Sequence, residues 1–145
     1  EYVRAHHKPY VSIIMAGRVD TLRGADFVQR AGRALEVWQS LGTRHNLMAE
    51  LVVVEWNRLP GAKSLADALR PHVLRHSNIP VRIISVPPSV HDTRKGGTNA
   101  TFYEFMAKNV GARRARGEFV LLTNPDNMPS EALVQFLAKR KLDHD

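Results

Sequence analysis

Four short apolar runs, each closed by a polar turn and followed by a helix-like or turn-rich stretch, restrict this chain more than anything else in it. Residues 10–15 (YVSIIM) form a continuous, β-branched run closed by Ala16-Gly17, as expected of a strand buried on both faces. Residues 50–56 (ELVVVEW) repeat the pattern and end in the turn-rich Asn57-Arg58-Leu59-Pro60-Gly61. Residues 81–86 (VRIISV) end at Pro87-Pro88, and a fourth strand is expected over 118–123. Between the first two strands, Phe27, Val28, Ala31, Leu35, Trp38 and Leu41 recur at three- and four-residue spacing, which turns one helical stripe toward a core. Asp20 or Asp26 serves the start of that helix and Gly42 its stop. Ser64 caps a helix to about residue 69, with Pro71 disturbing or restarting it. A helix over 102–116 is expected to point Phe102, Phe105, Met106 and Val110 inward, and Ser130 caps a last helix to about residue 141. Residues 87–101 have no periodicity and contain adjacent glycines at 96 and 97, which predicts a mobile loop over a functional face.

This alternation predicts an α/β layered domain with a mainly parallel sheet, spanning residues 10–142 after a short N-terminal extension, 1–9. In such sheets ligands sit beyond the carboxyl ends of the strands, where strand order reverses. The polar residues able to carry chemistry all follow strands: Arg18 and Asp20, Glu55 and Asn57, His91 and Asp92, Asn124 and Asp126. The 145 residues suffice for a core without covalent staples. With no cysteine, disulfides, a thiolate nucleophile and a Cys-ligated zinc are excluded. No apolar run approaches the ~20 residues of a membrane helix and no signal-peptide pattern is present, so the expected setting is cytoplasmic.

The net charge is +7, and between Arg94 and Arg116 six basic residues face one acid, Glu104. Such a field concentrates phosphorylated ligands. A solvated basic surface, or non-specific attraction to nucleic acid, is written in the same composition. Asp126 is the carboxylate best placed for chemistry, because a departing diphosphate needs its charge neutralised and Mg2+ or Mn2+ held by carboxylate and phosphate oxygens does this. Asn124-Pro125-Asp126-Asn127 is equally well composed for a plain turn before the Ser130 helix. His72 and His76 share a helical spacing but have no third ligand nearby, and His6-His7 reads as a terminal feature. No P-loop and no GxGxxG fingerprint is present.

Residues 107–127 (AKNVGARRARGEFVLLTNPDN), with Gly17-Arg18-x-Asp20 and Val54-Glu55-Trp56-Asn57, resemble the nucleotide-sugar glycosyltransferases of the GT-A fold, most closely the inverting family-2 group. The resemblance covers about residues 10–141. It implies a three-layer GT-A domain that binds a nucleoside-diphosphate sugar, a uridine diphosphate sugar by default, and transfers the sugar with inversion to the hydroxyl of an unknown acceptor. By the same resemblance the nucleotide-binding set is Ala16, Gly17, Arg18, Asp20, Glu55, Asn57, Lys108, Asn109, Asn124 and Asp126. Glu55 with Asn57 would clamp the nucleoside, Lys108 would reach the phosphates, and Asp126 would hold the metal. Two departures stand out. Asn124 replaces the first acid of the family's Asp-x-Asp, which weakens metal binding, and Val19 replaces an Asn in the first turn. Arg113, Arg114 and Arg116 read as surface charges, one of which could join the phosphate site.

The family's general base is an acid well downstream of the metal-binding strand, and neither Asp143 nor Asp145 carries a motif marking it as that base. The expectation is therefore a donor-binding half, or a short homologue, able to bind donor and metal. Two other classes remain open. A non-catalytic nucleotide- or polyanion-binding domain would use the basic 94–116 segment, although a nucleic-acid partner is disfavoured because no recognisable motif for one is present. A sugar-nucleotide nucleotidyltransferase would need a Gly-rich loop after the first strand, where the chain has Arg18-Val19-Asp20-Thr21.

Overall fold

A computed structural model describes residues 8–20, 25–94 and 96–143, and for Ala25 and Asp26 the backbone alone. The expectations placed on His6, His7, Thr21, Lys95, Asp145 and the Asp26 side chain lie outside these residues. Among the described residues four strands, β1 (Val11–Gly17), β2 (Ala49–Trp56), β3 (Val81–Val86) and β4 (Phe119–Leu122), form one all-parallel sheet in the order β3-β2-β1-β4. Helices α1 (Ala25–Arg44), α2 (Leu65–Leu69) and α5 (Glu131–Ala138) cover one face; α4 (Glu104–Arg113) covers the other. The result is a three-layer α/β/α domain. None of the described helices is long and apolar enough to cross a membrane.

Every residue of β1 and β2 is buried, which is why their sequences are apolar without alternation. Toward α1, Ile13, Met15, Leu51 and Val53 pack with Ala31, Leu35 and Trp38 from the helix. The stripe read from the α1 sequence is therefore its buried face. Toward α4, Ile14, Ala16, Val52 and Val54 meet Ala107 and Trp56. Close approach on this side depends on Gly111, where a Cβ would collide with the Ile14 side chain.

Several boundaries differ from the sequence reading. Helix α1 runs past Gly42, which lies against Ile79, and the reversal comes at Asn46 with φ of 53°. Ser64 and Ser130 do cap: their hydroxyls accept from Asp67 N–H and Leu133 N–H. A 3-10 turn over Arg70–His72 follows α2 at Pro71. Residues 87–101 are not a uniform loop, because Pro88–Asp92 form a short helix, α3. Proline at its first position suits a helix start, and the buried His91 ring anchors it.

Helix α4 is shorter than expected, and its inward residues are Ala107, Lys108 and Gly111. Phe105 is 81% exposed and Met106 is also exposed, contrary to expectation. Val120 and Leu122 of the edge strand β4 are exposed too.

A polar network ties the amino ends of the strands to the end of α4. Glu50 lies on β2 opposite Ser12 of β1, whose hydroxyl donates to Glu50 Oε1 at 2.6 Å. Arg82 of β3 donates to both carboxylate oxygens, at 2.9 and 3.1 Å, and also to the Arg114 carbonyl. Backbone N–H groups of Arg116 and Gly117 donate to Glu50 and to the Ser12 hydroxyl, each at 2.8 Å. A buried carboxylate is tolerable only with partners of this kind. The network sits at the opposite end of the sheet from the loops that follow β1 and β4. It therefore places Arg114 and Arg116, and the adjoining Arg113, away from any ligand at the carboxyl edge.

Candidate functional site

β1 lies between β2 and β4, so the chain leaves β1 for one neighbour and returns to its other side as β4. The crevice beyond β1 and β4 is thus the switch point where ligands of open parallel sheets bind. A cavity of about 440 Å3 lies there, within the range of small-molecule sites. The β1 turn contributes Ala16, Gly17, Arg18 and Asp20, and the β4 loop contributes Asn124, Pro125 and Asp126. Phe27 and Arg30 of α1 form one wall, and Thr101, Phe102 and Glu104 another. Six of the ten residues expected from sequence meet in this space.

The other four are placed differently. Lys108 is largely buried just beneath the β4 loop, donating to Asn124 Oδ1 at 2.9 Å and to Glu104 Oε1 at 2.6 Å. Asn109 is exposed on α4 and does not line the cavity. Glu55 is 1% exposed and internally engaged: it accepts from the Leu65 N–H at 2.7 Å and from Ser85 Oγ at 2.6 Å. It supplies an acceptor to the first residue of α2, whose N–H has none within its helix. Asn57 does not line the cavity; it directly follows β2 with φ of 52°, a conformation Asn tolerates better than most residues. Its Nδ2 donates to the Thr101 carbonyl at 2.8 Å.

Arg18 performs the same service from the β1 turn. Only 8% exposed, it donates to the carbonyls of Asn57 and Thr101 at 3.1 and 2.8 Å and to the Thr101 hydroxyl at 2.9 Å. Its guanidinium also lies over the Phe102 ring, 5.8 Å from the centroid. Arg18 and Asn57 together fasten residues 101–102 against the carboxyl ends of β1 and β2 and so set the width of the crevice. Gly17 gives room to the protein itself, since a Cβ there would stand 2.6 Å from the Phe27 ring.

His91, one of the polar residues after a strand that could have carried chemistry, is a packing residue. Buried, it accepts a hydrogen bond at Nδ1 from Trp56 Nε1 (3.0 Å), and its ring lies 4.7 Å from that of Tyr103. Asp92, its neighbour, ends α3 and does not line the cavity. His72 pairs with Glu36 at 2.7 Å, which accounts for it without a metal.

Phe27, Arg30, Thr101, Phe102 and Glu104 line the site without having been expected there from the sequence, and Arg30 is the one that brings a new charge to the β4 loop. It projects from α1 to Asp126, with Nε 3.6 Å from Oδ2. Each acid lining the cavity consequently has a basic partner: Asp20 with Arg18 at 3.5 Å, Glu104 with Lys108 at 2.6 Å, and Asp126 with Arg30. A resident divalent cation asks for a cluster of oxygen ligands. Among the described residues no three His, Asp or Glu side chains converge as a metal-ligand set. The Asn124 amide oxygen, the nearest substitute for a second acid, is occupied by Lys108. This donor set does not fit a preassembled Mg2+ or Mn2+ site. No protein-family model matches the sequence, and neither curated proteins nor solved structures give a match to it.

Proposed function

We propose that this chain is a nucleotide-sugar-binding domain of the GT-A type, holding a nucleoside-diphosphate sugar in the crevice beyond β1 and β4. A uridine diphosphate sugar is the default donor, and the sugar passes with inversion to an acceptor hydroxyl. The observation that carries this reading is the convergence, at the switch point, of the β1 turn with the Asn124–Asp126 loop, the latter steadied from below by Lys108. These are the segments whose sequences resemble the family. The cavity is lined by polar and charged side chains together with Phe27 and Phe102, which suits a nucleoside carrying phosphates. Arg18 and Asn57 support the site by shaping it. Transfer further needs a base beside the acceptor hydroxyl, and neither Asp143 nor any residue of the crevice is assigned that role. A cytoplasmic setting is part of the proposal and rests on sequence composition alone.

Calorimetric titration with uridine and guanosine diphosphates tests it. One of the two is expected to bind at a single site about tenfold or more tighter than its nucleoside, a difference of about 1.4 kcal/mol. Binding that ignores the base, grows with the number of phosphates and collapses with salt would instead mark a polyanion-binding surface.

A further inference from the structure

Resting on the donor-site reading, we infer that Arg30, and not a divalent cation, neutralises the diphosphate in this crevice, with Asp126 holding Arg30 in place until the ligand arrives. Arg30 lies on the wall of the cavity, and its guanidinium is already turned toward the β4 loop by Asp126. Both side chains are close to half exposed (45% and 40%), so solvent screens their attraction and the pair is readily exchanged. A diphosphate competes well for that guanidinium, because its paired oxygens match the planar fork that Arg presents.

The other two cations of the site are less available. Arg18 is committed to Thr101 and Asn57 and nearly buried, and Lys108 is held between Glu104 and Asn124. Arg30, 45% exposed where Arg18 and Lys108 are 8% and 11%, is thus the cation of the crevice most open to an entering ligand. A metal would have to displace Arg30 from Asp126 and Lys108 from Asn124 to gain one charged ligand and one neutral one. Arg30 acts here as a ligand-binding residue and Asp126 as the residue that positions it.

The two ways of neutralising the diphosphate make opposite predictions for Asp126. Uridine and guanosine diphosphates are titrated calorimetrically into the whole chain, in EDTA and separately in Mn2+, with Arg30→Gln and Asp126→Asn variants beside the parent. Both substitutions are at exposed positions, and circular dichroism verifies folding. The expected result is binding to the parent that differs by less than about twofold between EDTA and Mn2+. In EDTA, Arg30→Gln should weaken binding about tenfold or more, while Asp126→Asn binds as tightly as the parent or tighter, since one negative charge facing the diphosphate has gone. Binding that needs Mn2+ and is lost in Asp126→Asn would overturn the assignment of Arg30 while leaving the donor site standing. Absence of binding in both conditions, in folded protein, would overturn the donor-site reading and the Arg30 assignment with it.

Discussion

Glu50→Ala is expected to destabilise the domain by about 3–5 kcal/mol, the range for breaking a buried ion pair from one side. The carboxylate serves four donors at once, from Ser12, from the Arg116 backbone, and twice from Arg82. Its loss leaves the Arg82 guanidinium without its counter-charge and the Ser12 hydroxyl without its acceptor. The Arg116 N–H loses its partner as well. A loss near half of a typical domain stability is large enough to read directly from urea unfolding followed by circular dichroism. A loss under about 1 kcal/mol, the size of an exposed pair, would mean the network is solvated.

The same network gives a pH dependence with a defined sign. Burial pushes the Glu50 carboxyl up, but hydrogen bonds from Arg82, Ser12 and the Arg116 N–H, with the Arg82 charge, outweigh it. The net effect holds the group below its ordinary value of 4.5. A carboxylate depressed on folding contributes stability that is fully present above the unfolded value and is lost as pH falls through the folded one. Below pH 4.5 the parent's Tm should therefore fall more steeply than that of Glu50→Gln, which has no proton to take up there.

Gly117→Ala is the second large effect, with an expected cost of about 3 kcal/mol, at the upper end for overpacking. The added Cβ would stand 2.5 Å from the Ser12 backbone nitrogen and 2.8 Å from its hydroxyl. Backbone of the central strand cannot yield as a flexible side chain would, so the turn before β4 must move. That shift would stretch the Gly117-to-Ser12 bond and displace the strand that delivers Asn124 and Asp126 to the crevice. Thermal unfolding of the variant checks the cost. Retention of the parent's Tm would show that the turn has room the structure denies it.

How far the sequence spoke differs from element to element. The apolar runs of β1 and β2 were legible because a parallel strand buried on both faces leaves no alternation to confuse with anything else. The capping serines were legible because their chemistry is local. Arg30 was not, since nothing near it on α1 announces Asp126, which approaches only when β4 docks beside β1. Glu55 misled for a related reason. A carboxylate at a strand end looks ligand-facing, and only the path of α2 reveals that the Leu65 N–H claims it. The Ser12–Glu50–Arg82 cluster hid inside runs read as plain strand, although a charged residue within an apolar run is a signal that it must find a partner. Phe105 and Met106 were placed inward by composition, but the tight seam of Ala107 and Gly111 sets which side of α4 meets the sheet.

The crevice between the β1 turn and the β4 loop is proposed as the place where the chain recognises a nucleoside diphosphate. Amide chemical-shift mapping with uridine or guanosine diphosphate, against inorganic tripolyphosphate as the control, tests this most directly. The nucleotide is expected to shift residues 16–20, 101–102 and 124–126 together, with saturation, and to leave the Arg113–Arg116 end of α4 unmoved. Shifts confined to that basic end, produced equally by tripolyphosphate, would contradict it.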